Sequence, residues 1–124
     1  MSTPPPVTVV LTTTDRDRVV IGLGGEIDHA TAARVHDDVL TLVDSAVVDR
    51  APDTGARGVH VLLDFSHVRF CDSSGMSALL GIWRRLHACG GTLTVTALPT
   101  NIAKALRMGG LDQIIPVLAV DTPV

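Results

Sequence analysis

Two serines follow an aspartate at the point where an apolar run gives way to a helical pattern. Residues 64–76 read Asp-Phe-Ser-His-Val-Arg-Phe-Cys-Asp-Ser-Ser-Gly-Met, which predicts Ser73 and Ser74 at the N-terminus of a helix. The first N–H groups of a helix have no internal partner, and the helix dipole leaves partial positive charge there. A phosphate on Ser73 would be well placed beside such groups. The pattern therefore makes Ser73 a candidate for a phosphorylation switch.

The same residues have simpler structural roles. The hydroxyl of Ser73 or Ser74 could cap the helix by accepting an N–H of its first turn. Asp72 could cap the helix as well, or it could help a kinase to recognise the site. Gly75 would permit the close approach of a partner, or equally the tight packing of the helix on the strand. On the residues alone, capping is the favoured interpretation.

A hydrolase is the competing class, since a serine, five histidines and several aspartates could build a catalytic triad. The nucleophile elbow of that class reads Gly-x-Ser-x-Gly, whereas Cys71 and Asp72 precede Ser73 here. The glycines at 22, 24 and 25 lack the spacing of a dinucleotide site, and no phosphate-binding loop with Gly-Lys-Ser/Thr is present. Cys71 and Cys89 are too few and too far apart for a zinc site, and are expected to be small buried thiols. We expect no catalytic residue, no cofactor and no metal.

Composition narrows the possible partners. A chain of 124 residues, 46% hydrophobic and 19% charged, suits one domain with one core. The net charge of −3, without a basic run, argues against nucleic acid, and one Trp, two Phe and no Tyr provide no stacking platform. No apolar run approaches the roughly 20 residues that cross a bilayer, and the N-terminus does not read as a signal peptide. We expect a cytoplasmic protein without nucleic-acid or membrane partners.

Apolar periodicity predicts alternating strands and helices. Asp28 is expected to cap the first helix, and Thr100 the third, where a regulatory phosphosite is a weaker second choice. The continuous apolar run before Asp64 is typical of a central strand covered on both faces, and Pro116 indicates an edge strand. The predicted strands are 7–12, 19–24, 59–64, 92–97 and 114–117, and the predicted helices are 29–48, 74–89 and 101–108.

This order predicts an α/β fold in which a hairpin is followed by strand–helix crossovers. The sheet is mixed, has four to five strands and is covered by three to four helices. Residues 1–6 are expected to form a flexible tail, residues 7–124 a single domain, and residues 49–58 a surface loop.

The order of motifs has a match among known families. Gly-Gly-Glu-Ile-Asp at 24–28, the stretch 64–68 that leads into Asp-Ser-Ser-Gly at 72–75, and Gly-Gly-Leu at 109–111 resemble bacterial anti-sigma factor antagonists, the stand-alone STAS domains. The resemblance covers roughly residues 7–117. It implies a protein that binds an anti-sigma factor, often also a serine kinase, and so frees a sigma factor. In that family the serine directly after the aspartate is phosphorylated, which here is Ser73.

The resemblance also guides the choice of contact residues. Asp28 starts the first helix at the end of the sheet where the Ser73 turn should emerge, so the two turns are expected to form one surface. Beside Ser73 itself, the candidates for partner contact are Glu26, Asp28, His29, Asp72, Ser74, Gly75 and Met76. His67 and Arg69 are expected to be solvated. A phosphatase is the expected second partner, and the protein is expected to be a monomer or weak dimer. A STAS scaffold in a signalling assembly without a sigma factor is the alternative.

Overall fold

Strands and helices alternate along the chain as the sequence predicts. The computed structural model describes residues 6–15, 18–48 and 58–118. Its strands are β1 (Val7–Thr14), β2 (Arg18–Ile27), β3 (His60–Cys71), β4 (Thr92–Thr96) and β5 (Val117–Leu118); its helices are α1 (Ala32–Val48), α2 (Ser73–Ala88) and α3 (Thr100–Met108), with a 3₁₀ turn at Leu111–Gln113.

The five strands form one mixed sheet whose spatial order is the chain order, β1-β2-β3-β4-β5. β1 and β2 pair antiparallel as a hairpin, and β2, β3, β4 and β5 run parallel. Parallel neighbours need a crossover connection, which α1, α2 and α3 provide. The predicted α/β class and mixed sheet are confirmed.

One face of the sheet carries the core. Along β3 the side chains of Val61, Leu63 and Phe65 are buried, while Leu62 and Asp64 between them are only half-buried. The buried strand residues form one cluster with the apolar stripes of the helices, including Ile82 of α2 and Ile102 of α3. The expectation that this central strand is covered on both faces was therefore wrong. Its apolar run reflects one packed face and one partly open face.

Several predicted boundaries shift. α1 begins at Ala32, three residues later than expected, because residues 28–31 form a separate turn. β3 continues past its predicted end at Asp64 as far as Cys71. The last strand begins at Val117 rather than at residue 114, although it is the edge strand that Pro116 indicated. Thr100 is the first residue of α3 and does not cap it; Pro99 holds the N-cap position, without a side-chain hydrogen bond.

Two predicted irregular segments fall largely outside the described residues, namely 1–5 of the tail and 49–57 of the loop. Pro6, the last residue assigned to the tail, already belongs to the sheet, because its carbonyl oxygen accepts a hydrogen bond of 2.9 Å from the Glu26 N–H. Contact with the sheet therefore includes Pro6, one residue before the predicted start of the domain.

Candidate functional site

The turns that follow β2 and β3 lie side by side. Ile27 pairs with Cys71 in the parallel ladder, and the Asp72 N–H donates to the Ile27 carbonyl oxygen at 3.1 Å. This bond joins the last residue of one strand to the residue that opens α2. The expectation that the two turns form one surface is confirmed, and residues 26–29 and 69–76 are called the carboxyl-end surface below.

Asp72 caps α2. Its backbone is extended, and its Oδ1 accepts hydrogen bonds from the N–H groups of Ser74 at 2.9 Å and Gly75 at 3.2 Å. Its carbonyl oxygen accepts the Met76 N–H at 3.0 Å. The cap therefore belongs to the aspartate, and neither serine hydroxyl is needed for it.

Ser73 is the first residue of α2 and is exposed to solvent. In the part of the chain that the structure describes, no hydrogen bond involves its hydroxyl. The capping role that the sequence favoured for a serine is wrong for Ser73. Its hydroxyl is free to meet another molecule, which a capping hydroxyl would not be.

The cap also changes the electrostatics expected for a phosphate. The amides of Ser74 and Gly75 already serve the Asp72 carboxylate, so a phosphate on Ser73 would lie beside a negative charge as well as beside the helix end. The N-terminus of α2 therefore stabilises a phosphate on Ser73 less than the sequence alone suggested.

Gly75 lets α2 pack against the two strand ends. It is buried, and a Cβ built on it would lie 2.5 Å from Cys71 Sγ and 2.9 Å from Ile27 Cγ2. Real Cβ atoms do not approach other atoms so closely, so any side chain here would push the helix away. Of the two roles considered for Gly75, the structure shows the packing of helix on strand.

Cys71 is buried and Cys89 is exposed, so the expectation of two buried thiols holds only for the first. Burial, helped by the nearby Asp72 carboxylate, raises the pKa of the Cys71 thiol to about 11. The thiol therefore stays protonated at neutral pH and acts as a small apolar group. Cys89 lies at the other end of α2, where its position as the C-cap residue leaves it in solvent.

Asp28 caps the turn that precedes α1. Its Oδ1 accepts the N–H groups of Ala30 at 2.9 Å and Thr31 at 3.2 Å. The hydroxyl of the buried Thr31 accepts a hydrogen bond from the Asp28 N–H at 3.0 Å. The same hydroxyl donates to the Glu26 carbonyl oxygen at 2.8 Å. Thr31 was missed by the sequence analysis. The Asp-x-x-Thr spacing, a relative of the capping box, is the signal that could have identified it.

The remaining candidates differ in their accessibility. Glu26 and His29 are exposed, and Met76 is half-buried. Arg69 is exposed as expected and lies 3.7 Å from the Glu26 carboxylate, an exposed ion pair of little energetic weight. Phe70, which the sequence analysis did not select, has 47% of its surface exposed. Exposed aromatic rings at such positions are typical of interaction surfaces.

A catalytic triad or a metal site would need particular contacts among the described residues. The exposed His67 pairs with the neighbouring Ser66 hydroxyl at 3.1 Å, and no histidine contacts Ser73 through a hydrogen bond. Within residues 6–15, 18–48 and 58–118, no group of three or more His, Cys, Asp or Glu side chains could hold a metal ion. Among the helices that the structure describes, none has the length and apolar character to cross a membrane.

Comparison with known proteins identifies the family. The family model described as "Mlab, STAS domain" matches residues 10–118. An anti-sigma F factor antagonist of Paenibacillus polymyxa is 29% identical over 102 residues, covering 82% of this chain and 79% of the relative.

Solved structures agree on the fold. An anti-sigma factor antagonist from Mycobacterium paratuberculosis superimposes with a TM-score of 0.70 at 24% identity, covering 94% of this chain and 89% of that one. The anti-sigma factor antagonist SpoIIAA matches in its unphosphorylated form (TM-score 0.67, 24% identity, 91% and 88% coverage) and, as a Bacillus cell fate determinant, in its phosphorylated form (TM-score 0.62, 24% identity, 91% of both chains). The chain belongs to the STAS-domain family and is a homologue of the anti-sigma factor antagonists.

Proposed function

We propose that this protein binds an anti-sigma factor that is also a serine kinase, and thereby releases a sigma factor. Phosphorylation of Ser73 switches the binding off, and a phosphatase restores it. The contact residues are those of the carboxyl-end surface, with Glu26, Asp28 and His29 on one turn and residues 72–76 on the other. Anti-sigma factor antagonists are non-enzymatic regulators, so the activity is binding alone.

The proposal depends on one observation, which is that Asp72 and Ser73 have separate roles. The carboxylate caps α2, and the next residue presents an exposed hydroxyl with no hydrogen-bond partner among the described residues. A kinase needs an accessible hydroxyl on a segment whose fold does not depend on it. Ser73 meets both conditions.

The relatives support the same assignment. The Paenibacillus relative is an anti-sigma F factor antagonist, and SpoIIAA is known in both a phosphorylated and an unphosphorylated form. A protein with this fold can therefore carry a phosphate and keep its architecture. The proposal extends this behaviour to Ser73.

The charges of the carboxyl-end surface indicate how a phosphate would act. Its carboxylates, those of Glu26, Asp28 and Asp72, outnumber its one guanidinium, that of Arg69. A partner suited to this acidic surface is neutral or basic where they meet, so repulsion from an acidic partner is a poor explanation for the switch.

The cost of removing water from the phosphate explains the switch better than charge repulsion does. The exposed ring of Phe70 and the half-buried side chain of Met76 lie on either side of Ser73 in the sequence and give the surface an apolar component. Closing a partner over this region would strip water from a phosphate of charge about −1.5 to −2. A loss of only about 1.4 kcal/mol of binding free energy lowers the affinity tenfold, so a small part of that penalty is enough.

The test combines mass spectrometry with binding. The protein is incubated with ATP and the purified anti-sigma factor kinases of the same genome, and the modified residue is located by tandem mass spectrometry. Binding is then measured by calorimetry for the wild type, Ser73→Ala and Ser73→Asp. Ser45→Asp is the matched control, because Ser45 is an exposed serine on α1, outside the carboxyl-end surface.

We expect phosphate on Ser73, wild-type affinity for Ser73→Ala and Ser45→Asp, and at least a tenfold loss for Ser73→Asp. Phosphate on another residue, or equal binding by Ser73→Asp and the wild type, would refute the switch. The absence of any anti-sigma partner would instead favour a scaffold without a sigma factor. The proposal places the protein in the cytoplasm, with the transcription machinery that a sigma factor serves.

A further inference from the structure

The turn after α3 lies against the first turn of α2. A methyl group added at Gly109 would lie 3.1 Å from Met76 Sδ, so these two residues are in contact. Gly110, with a positive φ of 78°, then redirects the chain into the 3₁₀ turn. The segment 108–110 is thus continuous with the carboxyl-end surface through Met76, although it is distant from Ser73 in the sequence.

Met108, the last residue of α3, is the unexplained side chain in this segment. Its side chain is 78% exposed, the largest value among the large apolar residues that the structure describes as exposed. The same helix buries Ile102 and Leu106 in the core. Met108 therefore contributes little to packing within the chain.

We propose that Met108 is an apolar anchor of the partner-binding surface and seats in an apolar pocket of the anti-sigma factor. This inference rests on the proposed function and adds a second contact to it, outside the phosphorylated turn. Methionine suits such a role because its unbranched, polarisable side chain adapts to the shape of a pocket. Burial of a large apolar side chain at the centre of an interface contributes much of the binding energy there.

The surroundings favour a protein partner over other occupants. The adjoining carboxyl-end surface is acidic, which disfavours both an anionic lipid surface and a second copy of the same surface. Contact between Met76 and the 108–110 turn means that a partner covering Ser73 and Met76 would reach Met108 without a gap. The partner predicted for this site has an apolar pocket beside neutral or basic groups.

The test uses the full chain and the anti-sigma factor kinase that binds it. Calorimetry compares the wild type with Met108→Ala, Met108→Leu and Val10→Ala. Val10 is the matched control, since it is 58% exposed but lies on β1, away from the carboxyl-end surface. Thermal unfolding of each variant checks the fold, which Met108→Ala should leave unchanged because the side chain is exposed.

We expect Met108→Ala to weaken binding about tenfold or more, the scale of burying one methionine side chain. Met108→Leu should retain most of the affinity, and Val10→Ala all of it. Unchanged binding by Met108→Ala, together with loss of binding by Ser73→Asp, would overturn the anchor and leave the proposed function intact. If the wild type bound no anti-sigma factor, the proposed function would fail and the anchor with it.

Discussion

Neighbouring residues at the start of α2 have separate tasks. Asp72 accepts hydrogen bonds from the first amides of α2, the Ser73 hydroxyl has no hydrogen-bond partner among the described residues, and Gly75 holds the helix close to the strands. The sequence predicts the location of all three, since an aspartate, two serines and a glycine follow an apolar run. It does not predict which side chain makes the cap, because aspartate and serine have nearly equal preferences for that position. Only the observed hydrogen bonds decide it.

Replacing Gly75 with alanine should destabilise the fold by about 1 to 3 kcal/mol, the usual cost of overpacking a tight contact. The added Cβ would collide with Cys71 Sγ and Ile27 Cγ2. The free energy of unfolding can be measured in urea with the fluorescence of the single Trp, Trp83.

Gly81→Ala is the control for this change. Gly81 lies in the same helix, but a Cβ there would meet only the end of the His36 ring, at 3.1 Å. That ring can move, so the better helix propensity of alanine should make Gly81→Ala neutral or stabilising by up to about 1 kcal/mol. Equal stability of the two variants would contradict the packing role of Gly75.

At the scale of elements, the turn between β4 and α3 stores strain. Ala97 has a φ of 59°, in the left-handed region that costs a residue with a Cβ about 1 kcal/mol or more. The turn directly follows Thr96, the last residue of β4, which pairs with Asp64 in the middle of β3. The strain therefore lies in the connection between β4 and α3.

Ala97→Gly should therefore stabilise the protein by up to about 1 kcal/mol, despite the greater flexibility of glycine in the unfolded chain. Ala105→Gly, within α3, is the comparison and should destabilise by about 1 kcal/mol. Chemical denaturation of both variants measures the difference. A loss of stability in Ala97→Gly would show that the turn is not strained.

The elements themselves were largely predictable, but their ends were not. Strong apolar periodicity predicted three helices and five strands in the right order. The continuation of β3 past Asp64 was missed because Ser66, His67 and Arg69 are polar and exposed. This segment is a strand because it pairs with β2, for example through His67 and Gly24. That ladder contains two irregularities, which interrupt the alternation that the sequence would otherwise show. Pairing between distant segments cannot be read from a local pattern.

For the molecule as a whole, the acidic character of the carboxyl-end surface predicts how the switch responds to salt. If desolvation carries the effect, the affinity ratio between wild type and Ser73→Asp should change little between about 0.1 and 1 M NaCl, where the Debye length falls from ~10 to ~3 Å. Calorimetric titrations at several salt concentrations measure the ratio. A ratio that shrinks towards one at high salt would show that long-range repulsion is the cause instead.

The chain order of the sheet has a consequence for synthesis on the ribosome. Because each strand pairs with its predecessor in the sequence, a nascent chain can add every new strand to a neighbour that has already emerged. The residues of the Ser73 turn leave the ribosome before β4, and Met108 leaves it after β4. Because α3 contributes Ile102 and Leu106 to the core that also holds β3 and α2, the fold that presents Ser73 is complete only once α3 has emerged. Newly made copies therefore gain the phosphorylation target and the proposed anchor together.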